Sequence, residues 1–315
     1  MNIFVSGSLA YDRIMSFHGF FKDHILPEKM HQFNVSFYTE SLSESFGGTA
    51  GNIAYALSLL GEHPTILAEA GNDFGPYRAW LDEHGVDTSH IQVDEKEKTA
   101  FATIITDRAN NQIAAFYPGA MQKPWQPSGD HAIFKGEETF GIVAAGNLSN
   151  MRMLPAIYRK NYIRYMFDPG QQVTVLSEED LKNGIEGSAI FISNDYEAAI
   201  VKKKTGWSEE EMLSHTGMMI TTLGEDGSRI VTKEEKIHVL AAEVEAVLDP
   251  TGAGDAYRAG FVHALLKEWP LETCGKFAGL VACYAVEAKG TQAHTFTREQ
   301  LAERYYKNFH EKLPE

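Results

Sequence analysis

The chain has 315 residues, 43% of them hydrophobic, and a formal net charge of −15. That length predicts one large domain or one with an appendage, and the composition predicts a globular core rather than a disordered chain. The negative charge argues against nucleic acid and anionic membrane surfaces as partners, and no stretch approaches the roughly 20 apolar residues of a membrane span.

The first residues, MNIFVSGSLAYD, lack the basic segment of a signal peptide and run straight into an apolar strand, NIFVSG. The expected location is therefore the cytoplasm. Next, FNVSFY alternates strictly, with Phe33, Val35 and Phe37 on one face and Asn34, Ser36 and Tyr38 on the other. Period two predicts a half-exposed strand. Helical spacing then runs from Thr49 to Leu60, and Gly61 stops it. PTILAEAG reads as a strand and FGPYRAWLDEHG as a short helix. TAFATIITD (99–107) and QIAAFYP (112–118), separated by a turn-like RANN, predict a hairpin.

From there the pattern becomes regular. TFGIVAAG, YIRYMFD, SAIFIS and GMMITTLG read as buried strands, with helices between them around 151–160, 177–186 and 195–213 and a mostly helical tail from 254 to 309. This alternation predicts a doubly wound α/β fold, a mainly parallel sheet with helices on both faces. Residues 1–11, 47–95 and 119–315 are the expected core. Residues 12–46 and 96–118 are expected to form a small β lid, the alternative being edge strands of the main sheet. Cys274 and Cys283 share one helical segment. At about 1.5 Å per residue they stand about 13 Å apart, too far for a disulfide, so they are expected as buried thiols in a reducing compartment.

The most informative stretch is DPTGAGDAYRAGF, residues 249–261. It falls between an apolar run and a helix. Gly252, Ala253 and Gly254 leave the backbone nearly bare where a helix N-terminus presents unpaired amides. No Lys-Ser or Lys-Thr follows, so this is not a Walker loop, and the dinucleotide fingerprint is absent after the first strand. Asp255 beside an anion cradle needs a task. Taking a proton from an attacking hydroxyl is one, with the helix dipole keeping it ionised; capping the helix is the plain alternative.

DPTGAGDAYRAGF closely resembles the C-terminal signature of the ribokinase-like (PfkB) family of sugar and nucleoside kinases, and FGGTAGNIAYALSLLG (46–61) resembles its N-terminal signature. The N-x-x-E of SNDYEA, the turn TTLGEDGS and KGTQ at 289–292 agree, in the family's order. The resemblance implies Asp255 as catalytic base, with the amides of Gly252, Ala253 and Gly254 stabilising the transferred phosphoryl group. It implies Asp12, Gly48 and Asn52 as substrate contacts. It implies Asn194, Thr222, Gly224 and Gly227 along the nucleotide of ATP, and Asn194 with Glu197 holding water around Mg²⁺. Asp249 and Thr251, with carbonyls around Lys289 and Gly290, match positions near a K⁺ site in some members. Arg258 is unusual within the signature and is expected to be paired on its helix face.

The stretch GSLAYDRIM…HILPEKMHQFNVSF looks similar to bacterial members described as adenosine kinases. Phe37, Tyr38, Phe101, Phe116 and Tyr117 place aromatics on the expected lid, where a purine could stack or a dimer or lid core could form. Adenosine is therefore the expected acceptor, with a homodimer through the lid. A sugar kinase acting on ribose, fructose or a related ketose is the alternative. Two readings from other classes are a non-catalytic nucleoside- or sugar-binding relative and a nicotinamide dehydrogenase. The intact Asp255 and cradle argue against the first, and the missing glycine fingerprint against the second.

Overall fold

The apolar run NIFVS forms β1 (Asn2–Ser6), with side chains pointing alternately to two faces, both covered. The computed structural model of the chain describes residues 1–25, 34–109, 111–127, 134 and 138–314. In chain order β1 is followed by β2 (Ala10–Ser16), β3 (Ser41–Gly47), α1 (Thr49–Leu59), β4 (Pro64–Leu67), β5 (Glu69–Gly71), α2 (Gly75–Glu83), β6 (Gln92–Asp94), β7 (Ala100–Thr106) and β8 (Gln112–Tyr117). Then come β9 (Thr139–Val143), α3 (Leu148–Lys160), β10 (Arg164–Phe167), α4 (Glu178–Ile185), β11 (Ser188–Asn194), α5 (Asp195–Thr205), α6 (Glu209–His215) and β12 (Thr216–Thr222). The chain closes with β13 (Ser228–Val231), β14 (Lys236–Val239), α7 (Ala253–Leu266), α8 (Leu271–Val286) and α9 (Arg298–Phe309).

Eight strands form one sheet in the order β14-β13-β12-β11-β10-β9-β1-β4. Neighbours from β4 to β12 pair in parallel, and β13 and β14 add an antiparallel edge. Ile3, Val5, Ile142 and Ile190 pack with Leu57 of α1, Phe261 of α7 and Phe277 of α8. The intervening Phe4, Val143, Phe167 and Phe191 pack the other way, with Leu154 of α3, Leu181 of α4 and Val201 of α5. The chain steps from β1 outward to β4 and returns on the opposite side as β9, so the order reverses at β1. Such a reversal opens a crevice beyond the carboxyl ends of the strands.

A second sheet has the order β3-β2-β7-β8. Its register puts Ser45, Asp12, Ala102 and Phe116 in one cross-strand row and Phe46, Tyr11, Phe101 and Tyr117 in the next. Successive rows face opposite sides, so these two sets of side chains look in different directions. The expected hairpin over 99–118 is present as β7 and β8.

Several expectations change. FNVSFY is not a strand: residues 34–39 have no regular secondary structure, and Phe33 lies outside the described residues. The alternation survives in burial, because Phe37 packs on Phe17 and Phe21 at 5.0 and 4.9 Å between ring centroids, without a hydrogen-bond ladder. The strand lies just beyond it, in the polar SLSESFG. PTILAEAG divides between two sheets, as β4 and β5. The helix expected over 195–213 is two, because Gly206 takes φ 68° and ends α5. Of the aromatics expected to meet a ligand, Phe37 belongs to the cluster just described and Tyr38 is exposed. Phe101 and Tyr117 pair with each other at 5.2 Å on the opposite face of the sheet from Phe116. Both cysteines lie in α8, free and buried.

Candidate active site

A cavity of about 840 Å³ lies between the two sheets. Its floor comes from residues at or just past the carboxyl ends of parallel strands. These are Ser8 after β1, Ala145 and Gly146 after β9, Asp168 after β10, Asn194 ending β11 and Thr222 ending β12. Its roof includes Asp12, Ala102 and Phe116, three members of one row of the small sheet. Gly48, Asn52, Gly224, Thr251, Gly252, Gly254, Asp255, Glu197 and Arg258 also line it. Most sequence-derived site residues therefore converge on one space, from segments more than 200 positions apart.

Both glycines of the FGG stretch are sterically required. Gly48 has φ 88°, and a Cβ there would strike the carbonyl of Ser8. A Cβ on Gly47 would collide with the carboxylate of Asp12. The pair thus lets α1 begin against Asp12. Burial and, second, the nearby Asp249 push the Asp12 carboxyl up to about 6.

α7 starts at Gly252, whose left-handed φ of 82° turns the chain into the helix. Several helices begin with a side-chain cap, among them α3, α4, α5, α6 and α9. Gly252 has no side chain to offer, so no side chain caps the first-turn amides of α7. Gly252 and Gly254 line the cavity, whereas Ala253 does not: its amide points back at the Pro250 carbonyl, 3.3 Å away. Asp255 follows in the same turn. Its Oδ2 accepts from Asn52 Nδ2 at 2.8 Å, and Oδ1 takes no hydrogen bond among the described residues. Desolvation outweighs the opposing pull of Arg258 and Asn52 and lifts its carboxyl to about 6, helped by Asp168 and Asp12. The helix dipole therefore does not hold this group at an ordinary carboxylate value. It remains ionised near neutral pH with a proton affinity suited to a base.

Arg258 is not paired on its own helix face. It is buried, with Nε 2.5 Å from Asp168 Oδ2 and Nη2 2.8 Å from Oδ1. Asp168 was missed in the sequence, although a carboxylate directly after an apolar parallel strand was a usable signal. Asn194 and Glu197 form a reciprocal capping box at α5: Glu197 N donates to Asn194 Oδ1 at 2.7 Å, and Asn194 N donates to Glu197 Oε2 at 2.8 Å. Gly227 lies outside the cavity wall. With φ 88° and a Cβ that would strike the Val239 carbonyl, it serves the β12–β13 turn. Asp249 is also outside the wall, accepting from the amides of Thr251 (2.9 Å) and Gly290 (3.2 Å).

An uncapped helix start beside a desolvated carboxylate, roofed by a small sheet, fits a phosphotransferase with an alcohol acceptor, the class that the relatives define. The chain belongs to the pfkB family of carbohydrate kinases, whose sequence profile matches residues 11–298. A nucleoside kinase of Methanocaldococcus jannaschii is 33% identical over 285 residues, covering 89% of this chain and 92% of that one. The solved structure of that archaeal enzyme has a TM-score of 0.86 at 31% identity, covering 98% of each chain. The Burkholderia thailandensis nucleoside kinase in complex with inosine has a TM-score of 0.86 at 34% identity, covering 98% of this chain and 99% of that one. Among the described residues no helix is long and apolar enough to cross a membrane.

Proposed function

We propose that this protein transfers the γ-phosphoryl group of ATP to the 5′-hydroxyl of a nucleoside, adenosine first among them. The observation that carries the reading is Asp255, fixed by Asn52 beside the uncapped start of α7 and facing Asp12 across one cavity. The similarity to two nucleoside kinases supports the acceptor class.

In this reading Asp12 accepts hydrogen bonds from the ribose hydroxyls, and Asn52 and the backbone at Gly48 complete the acceptor site. Asp255 Oδ1 takes the proton of the 5′-hydroxyl as its oxygen attacks the γ-phosphorus. The bond from phosphorus to the bridging oxygen breaks, and ADP leaves. Amides of Gly252 and Gly254 stabilise charge on the moving phosphoryl group, with Ala253 setting the turn between them. Thr222 and Gly224 lie along the nucleotide, and Gly227 shapes the adjoining turn.

Asn194 and Glu197 fit a Mg²⁺ ion held through water. Glu197 Oε1 takes no hydrogen bond among the described residues, and burial, with Asp168 nearby, raises its carboxyl. That is negative charge a divalent cation would relieve, while neutralising the nucleotide phosphates. By drawing the backbones at Thr251 and Gly290 together, Asp249 would shape a K⁺ site from loop carbonyls. The small sheet acts as a lid over the acceptor. Its outer face exposes Leu42, Ile113 and Tyr117, which a second copy of the chain would cover.

The test is kcat/KM for adenosine, inosine, ribose and fructose under matched ATP, Mg²⁺ and K⁺. Nucleosides should exceed free sugars. A preference for ribose or fructose would move the acceptor to the sugar class.

A further inference from the structure

Behind Asn52 lies a chain of hydrogen bonds with only one allowed direction. Trp80 Nε1, which can only donate, gives its proton to Gln292 Oε1 at 3.1 Å. The carboxamide nitrogen of Gln292 must therefore be its other end. That nitrogen donates to Asn52 Oδ1 at 3.1 Å and to the Tyr77 hydroxyl at 2.5 Å. Tyr77 confirms the direction, because its own proton goes to the Gly47 carbonyl at 2.8 Å and its oxygen is left to accept. With Oδ1 of Asn52 committed to Gln292, Nδ2 is the group that meets Asp255 Oδ2 at 2.8 Å. The bonds from Gln292 to Asn52 Oδ1 and to the Tyr77 hydroxyl are buried, so these groups keep their fixed partners.

The sequence makes room for this arrangement. Gly51 sits inside α1, where glycine normally costs stability. A Cβ there would collide with the Tyr77 hydroxyl and come within 3.0 Å of Gln292 Nε2. The loop carrying Gln292 is anchored next door by Thr291, whose hydroxyl donates to the Phe46 carbonyl at 2.8 Å.

We propose that Gln292, held by Trp80 and Tyr77, is a positioning residue that fixes the carboxamide of Asn52 so that it donates to Asp255. This rests on the reading of Asp255 as the general base. Reversed, Asn52 would present its oxygen to the carboxylate, repelling its charged form. The fixed orientation keeps Oδ2 occupied and leaves Oδ1 for the acceptor hydroxyl. The charged groups that also act on Asp255 are Arg258 on its own helix, Asp168 after β10 and Asp12 on β2; the Tyr77 hydroxyl of α2 is coupled to it as well. A change at Trp80 leaves all of these in place, whereas a change at Gln292 also removes the hydrogen bond to the Tyr77 hydroxyl.

The experiment compares wild type, Gln292→Met, Gln292→Glu and Trp80→Phe, with Asp255→Asn as control. Folding is checked by thermal melting, and kcat, KM and the pH profile of kcat/KM are measured for the preferred acceptor of the panel. Losing the donor on Oδ2 favours the protonated carboxyl. Gln292→Met should therefore lower kcat about tenfold and move the acid limb up by about one pH unit. Gln292→Glu keeps an acceptor for Trp80 but loses the donor, and should shift the limb at least as far. Trp80→Phe should shift it less, in the same direction, and decides the matter if the Gln292 variants do not fold. A folded variant set with kcat within twofold and an unmoved acid limb overturns the proposal. If Asp255→Asn itself retains turnover, the base assignment fails instead.

Discussion

Asp255 illustrates how one side chain trades stability for reactivity. Its carboxyl is lifted from 3.8 to about 6, chiefly by burial. The protonated form is thus the one the fold prefers. This group's contribution is fully present below about 4 and is lost as pH rises through about 6. Asp255→Asn removes that titration. The variant should melt higher than wild type at pH 8, with the difference shrinking towards pH 4, as read from paired melting curves. Its turnover should fall at least about 10²-fold, whereas nucleotide affinity by calorimetry should change little. In wild type, kcat/KM should drop below about pH 6, where Asp255 and Asp12 both take up protons. A flat profile from pH 5 to 8 would remove both carboxylates from the reaction. Of these residues, Asp255 and the glycines before it could be found from sequence, because bare backbone at a strand–helix junction is a local pattern, whereas Asn52 follows only from the resemblance of FGGTAGNIAYALSLLG to the family signature. Asp168 could be placed at a strand end but not paired, and Gln292 could not be assigned, since their partners lie 90 and 240 positions distant.

Among elements, α7 shows most clearly how packing and chemistry share residues. Its first turn carries no side-chain cap, and its buried Arg258 reaches out to the end of β10. Gly254 and Arg258 lie one turn apart, and a Cβ on Gly254 would sit 2.6 Å from Arg258 Nη1. The glycine thus admits the guanidinium. Asp168 depends on this partner. Removing Arg258 strands a buried carboxylate, which typically costs about 3–5 kcal/mol, whereas replacing both partners with apolar groups costs far less. Arg258→Met should accordingly lower the denaturation free energy by about that amount, and Arg258→Met with Asp168→Leu should recover most of it. Equal losses in single and double variants, measured by denaturant titration, would mean the pair does not tie α7 to β10. The sequence suggested the opposite for Arg258, because helical spacing alone cannot tell an exposed face from one covered by a distant strand.

At the scale of the molecule, two sheets of different character enclose one cavity. The parallel sheet was readable as continuous apolar runs, since both its faces are covered. The edge strands β13 and β14 and the two strands β2 and β3 were not, because AYDRIMS and SLSESFG carry mixed residues serving a ligand face, an outer face and a sheet edge at once. That ambiguity falls where we propose the acceptor site: Asp12 and Phe116 occupy one row of the small sheet, at either side of Ala102. Phe116 lines the cavity and is 54% exposed. A base stacked on it would bury that ring, worth about 0.5–1.5 kcal/mol beyond area burial, or roughly three- to tenfold in affinity. Phe116→Ala removes no charge and no hydrogen bond. Adenosine affinity should therefore fall by about that factor while ribose affinity stays the same, since ribose has no base to stack. Calorimetry with both ligands decides it. Equal losses for adenosine and ribose would assign Phe116 to lid packing alone, whereas a loss confined to adenosine would make the small sheet the element that reads the base.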